Sequence, residues 1–119
     1  MSIELKLYSR HFLFKRLFWL ALSVAYFAAI VPQDVAPSIP EISDKAHHVF
    51  AFMVLGILFR FAYKINYWYA LVLLIGFGGL IEISQYYTPT RVAEMNDVLA
   101  DTIGALIGLK LYKYFAKLI

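Results

Sequence analysis

The chain has 119 residues, of which 62% are hydrophobic and 16% charged, and its mean hydropathy of +0.70 means more apolar surface than a small soluble core can hide. At roughly 20 residues per crossing, about four spans use nearly the whole length as one membrane domain and leave no room for a second, soluble one. The absence of cysteine excludes disulfides and thiolate metal sites, and the net charge of +3 sits beside apolar runs rather than in a stripe, so no nucleic-acid partner is expected.

Residues 1–16 form a basic amphipathic lead-in with Lys6, Arg10, Lys15 and Arg16, followed by an apolar run over 17–31. This run reads as a retained anchor that Phe12, Leu13 and Phe14 lengthen while Lys15 and Arg16 snorkel to the interface. The rival is a cleaved signal peptide, with Ala25, Ala28 and Ala29 in the cleavage zone. Pro32, Pro37 and Pro40 then break the helix, and Ser43 or Asp44 can cap the next one. The expected spans are about 12–31, 46–63, 67–87 and 97–117. Tyr67, Trp68 and Tyr69 open the third as an aromatic belt and Pro89 stops it. Lys and Arg concentrate in the lead-in, at Arg60 and Lys64, and in the tail at Lys110, Lys113 and Lys117, so both termini are expected in the cytoplasm.

That alternation places the unusual polar residues at one level, the extracytoplasmic ends of the helices. Asp44, Lys45, His47 and His48 start the second span, Glu82 and Gln85 lie near the end of the third, Arg91 follows in the loop, and Asp97 and Asp101 open the fourth. Lys45 and His48, Glu82 and Gln85, and Asp97 and Asp101 each share a helix face by their spacing of three or four. Ionisable groups at membrane depth cost about 2.5–3.5 kcal/mol each on insertion scales, so their accumulation asks for a use.

One use is a site for an envelope lipid or its head group. Lys45 and Arg91 would hold an anion, His48 and Glu82 would form a catalytic acid/base pair, and Gln85 would orient the ligand. Asp97 and Asp101 would fix Arg91 or coordinate an ion, and Asp44 serves equally as a cap. The competing use is a structural network in which Arg91 bridges Glu82 and Asp97 while His48 and Gln85 bond across helices. A transporter is the third reading, but about four spans without an inverted repeat make a poor path. Adjacent His47 and His48 cannot both face one metal ion from a helix, so no metal site is expected. No motif calls for a cofactor. Gly104 and Gly108 form a small-xxx-small step that suits either a homo-oligomer face or close packing inside the chain.

The series Asp44-Lys45-x-x-His48, Leu55-Gly56, Glu82-x-x-Gln85, Pro89-x-Arg91, Asp97 and Gly104-x-x-x-Gly108 resembles the VanZ-like family over about residues 44–108. Two positions depart from it, Asp101 where the family usually has asparagine and Phe52 where it often has tyrosine. The resemblance implies a multi-pass protein of the bacterial cytoplasmic membrane, surrounded by membrane lipids. The family's named member lowers susceptibility to teicoplanin, so a lipoglycopeptide joins an envelope lipid among the ligands the resemblance implies.

Overall fold

The computed structural model describes residues 3–31, 44–88 and 95–118. Four helices follow one another, α1 (Ile3–Ile30), α2 (Asp44–Ala62), α3 (Tyr67–Tyr86) and α4 (Met95–Leu118), and the chain is all-α as its composition led one to expect. The bundle measures 52 × 26 × 25 Å, long enough for its ends to pass the roughly 40–45 Å of a bilayer with its headgroups. The basic lead-in is not a separate element. It continues α1 without a break, giving a helix of 28 residues, about 42 Å at 1.5 Å per residue.

Among the described residues, three helices contain runs long and apolar enough to cross a membrane, Arg10–Ile30, Lys45–Ala62 and Tyr67–Tyr86. The fourth falls short of that standard, although its 24 residues suffice in length. Its polarity is confined to places where lipid does not meet it. Asp97 and Asp101 are buried against the other helices, and Lys110, Lys113 and Lys117 lie toward its far end, while Met95, Leu99, Ile103 and Ile107 are exposed. The outward face of α4 is thus an apolar stripe, and its carboxylates belong to the protein interior.

Without water to expel from between helices in a bilayer, close packing and interhelical bonds must hold the bundle together. Helix α2 packs most extensively on α4, and glycines decide how closely. A Cβ on Gly104 would overlap the carbonyl oxygen of Val49, and one on Gly108 that of Met53. A Cβ on Gly56, across the seam, would come within 3.2 Å of the α4 backbone at Ala105 and Leu109. Of the two uses open to the Gly104–Gly108 step, packing inside the chain is the one these contacts show. Phe52, Leu55, Leu74, Ala105 and Leu109 fill the centre.

The two ends of the bundle are fastened by different physics. At the basic end, stacked rings join α1 to α2, Phe14 on Phe61 at 4.5 Å and Phe18 on Phe59 at 4.7 Å. Tyr112 of α4 meets Phe61 edge-on, and the Arg60 guanidinium covers the Tyr112 ring at 4.9 Å. The other end is held by ion pairs and polar contacts. Back at the basic end, helix α3 starts on Asn66, whose side-chain oxygen accepts from the Trp68 N–H at 2.8 Å. Asn66→Ala should therefore lower stability by about 1 kcal/mol, read as an earlier thermal unfolding of the detergent-solubilised protein. Ser23, Thr88 and Thr102 each donate to the carbonyl four residues back, so these hydroxyls present no unsatisfied donor to lipid. The expected caps Ser43 and Asp44 contribute side chains that lie outside the described residues.

Candidate functional site

An up-down order brings the C-terminal ends of α1 and α3 beside the N-terminal ends of α2 and α4, and the polar residues meet there as two linked ladders. On the α2–α4 side, residues three apart on one helix face residues four apart on the other. Lys45 Nζ donates to Asp97 Oδ1 at 2.8 Å, and about one turn deeper His48 Nδ1 meets Asp101 Oδ1 at 2.7 Å. A diagonal completes the ladder, with His48 Nε2 3.9 Å from Asp97 Oδ2, beyond hydrogen-bond range. Burial deepens from rung to rung: the Lys45 side chain is 46% exposed, that of Asp97 5%, that of His48 12% and that of Asp101 0%.

Helix α3 makes room for the deepest group by lacking a side chain. A Cβ on Gly78 would stand 2.8 Å from Asp101 Oδ2, so the glycine lets α3 close over the carboxylate. Four and seven residues further on, Glu82 and Gln85 are buried on the same face of α3. Gln85 Nε2 donates to the Ala29 carbonyl of α1 at 3.0 Å, one of the last four carbonyls of that helix, which lack intrahelical partners. Beside it the hydroxyls of Tyr26 and Ser84 share a hydrogen bond of 2.7 Å. The second ladder thus ties α1 to α3.

The structure adds partners that spacing alone did not name. Asp97 takes Lys45, whose side chain remains 46% exposed. Arg91 and its expected bonds to Glu82 and Asp97 lie outside the described residues, as does the Asp44 side chain. His48, expected to work with Glu82 on a ligand, is held by Asp101, with Asp97 beyond. Phe52, one turn below His48, is 2% exposed and packs near Phe77 at 5.9 Å. Tyr26, Ser84 and Gly78 carry no sequence signal that marks them as members of the site, although the 78, 82, 85 spacing places Gly78 on the Glu82 face.

The rim retains hydrogen-bonding capacity. His47 Nε2 and Gln85 Oε1 are both enclosed and make no hydrogen bond, an uncommon condition for buried polar atoms. Among the described residues no three His, Asp or Glu side chains are arranged to hold a metal ion. The site can therefore hold an imidazole in a fixed orientation beside an enclosed acceptor on Gln85. A comparison with curated proteins and with solved structures returned no match. The family model described as VanZ/LLP1 matches residues 6–117, which covers all four helices and every polar residue of the rim, and the chain belongs to that family.

Proposed function

We propose that this membrane protein lies in the bacterial cytoplasmic membrane with its polar rim on the extracytoplasmic side, where it binds and modifies the head group of an envelope lipid. The observation that carries the reading is the 2.7 Å contact between His48 Nδ1 and the fully buried Asp101 carboxylate. A carboxylate on one ring nitrogen fixes the tautomer and orientation of an imidazole, so proton exchange with a ligand runs through the other. Asp97 helps place His48, with Lys45 balancing its charge. Glu82 supplies a second carboxylate from α3, and the unused Gln85 Oε1 accepts a hydrogen bond from a head-group hydroxyl or amine. Modification of lipids at this surface gives a physical route to altered susceptibility toward teicoplanin, whose acyl tail draws it to the same interface.

A second reading has its own support. The Lys45–Asp97 pair is satisfied without any ligand, as an interhelix lock requires. The experiment compares cells expressing the chain, His48→Gln, Glu82→Gln or empty vector for membrane abundance, thermal stability, envelope-lipid profile and teicoplanin susceptibility. The expected result is normal abundance of both variants with lipid profile and susceptibility returned to those of the vector. Variants that act like the original chain overturn the proposal, and variants that lose abundance and melt early assign the rim to the lock.

A further inference from the structure

Toward the end opposite the polar rim, a cleft of ≈ 430 Å³ lies between α1 and α3, within the roughly 300–1,000 Å³ of small-molecule sites. Phe18 and Leu22 of α1 form one wall, Leu74 and Phe77 of α3 the other, and Phe59 of α2 the floor, with Tyr63 just past the end of α2 at its mouth. The walls are apolar throughout. From the start of α3 at Tyr67 to Phe77 is ten residues, about 15 Å at 1.5 Å per residue, or half of the roughly 30 Å hydrocarbon core. The cleft therefore has the depth of one leaflet.

Its mouth is equipped for the polar part of a lipid. The Trp19 indole N–H donates to the Tyr63 hydroxyl at 2.8 Å, which leaves the Tyr63 O–H hydrogen to donate to another acceptor. Lys15 Nζ lies 5.3 Å from the centre of the Tyr63 ring. Lys15, Arg16 and Lys64 are all exposed. Among the residues whose side chains are described, the acids Glu82, Asp97 and Asp101 all sit at the other end of the bundle. Tyrosine and tryptophan favour the headgroup level, and lysines beside them attract anionic lipid.

We infer that this cleft binds one acyl chain of an anionic phospholipid from the leaflet at the basic end, with the lipid phosphate against Lys15 and Lys64 and its ester region against the Tyr63 hydroxyl. The site is separate from the polar rim and takes a lipid from the opposite leaflet. Apolar complementarity alone would hold any phospholipid. The lysines add the preference for negative charge, about fivefold for each one close to the phosphate.

The test uses the full chain in nanodiscs of equal parts phosphatidylcholine and phosphatidylglycerol, released into the mass spectrometer with its retained lipid. The expected result is one retained lipid per chain, with phosphatidylglycerol favoured by at least about fivefold. In the double variant Lys15→Gln/Lys64→Gln a lipid should still be retained with the preference lost. Leu73→Trp places a large ring at the partly exposed lip of the cleft and should remove retention while helix content and melting stay as in the original chain. Equal retention of the two lipids by the original chain overturns the inference, as does undiminished retention in a folded Leu73→Trp variant. Should Leu73→Trp fail to fold, the lysine variant decides: an unchanged preference overturns the inference and a lost one supports it.

Discussion

Gly104→Ala is expected to destabilise the bundle by about 3 kcal/mol, the upper end of the usual range for overpacking, despite adding a single methyl group. The reason is the identity of the atom it meets. The new Cβ overlaps the carbonyl oxygen of Val49, and a backbone carbonyl inside α2 cannot rotate aside as a flexible side chain can. The two helices must separate instead, which loosens the contacts of Phe52, Leu55, Ala105 and Leu109 along the same seam. Gly108→Ala should behave alike because it meets Met53 in the same way. The double variant should cost less than the sum, since one separation relieves both overlaps. Gly76→Ala and Gly79→Ala are the controls, having nothing within 4 Å of the added atom, and should leave stability unchanged or slightly raised as alanine favours the helix. Thermal unfolding of the purified protein in detergent reads all of these, and a Gly104→Ala midpoint equal to that of Gly76→Ala would refute the packing argument.

This seam also shows where the sequence stops being informative. Apolar runs of about 20 residues, broken by Pro32, Pro37 and Pro40, by the turn at Arg60 and Lys64, and by Pro89, suffice for four helices in alternating directions, because the length of a crossing is fixed by the bilayer. Alternation then brings the polar residues to one end, and the spacings 45/48 and 97/101 pair rung for rung in the structure. What spacing cannot supply is which helices touch. Lys45 can reach α3 or α4 in equally simple bundles, and the choice of α4 rests on Gly56, Gly104 and Gly108 permitting a closer approach there. Gln85 offers a different kind of case. Its partner is the backbone carbonyl of Ala29, and backbone acceptors at a helix end are the same for every sequence, so no residue advertises the bond. The charged residues of α4 lower its apolarity as a span, and the structure turns both carboxylates inward.

Asp101→Ala should cost about 3 kcal/mol, as removing one member of a buried charged hydrogen bond does, whereas Asp101→Asn should stay close to the original stability. An amide oxygen can still accept from the His48 Nδ1–H, and asparagine at this position would also agree with the family resemblance. The same substitutions separate positioning from mere support. Asp101→Asn keeps the ring oriented and should retain the proposed effect on envelope lipids, and Asp101→Ala should lose it even in membranes where the protein is adjusted to equal abundance. Gly78 supplies an internal check on the geometry. With Asp101 present, Gly78→Ala drives a Cβ to 2.8 Å from Oδ2 and should push the carboxylate off His48, destabilising the protein by about 1–3 kcal/mol. In the Asp101→Ala background the carboxylate is gone and only the residue-101 Cβ remains close, at 3.3 Å, so the same Gly78→Ala change should cost clearly less and partly fill the space left behind. Melting curves of the four proteins form a double-mutant cycle. Additivity within about 0.5 kcal/mol would mean that Gly78 and Asp101 do not share the space assigned to them, and the account of how His48 is held would fail with it.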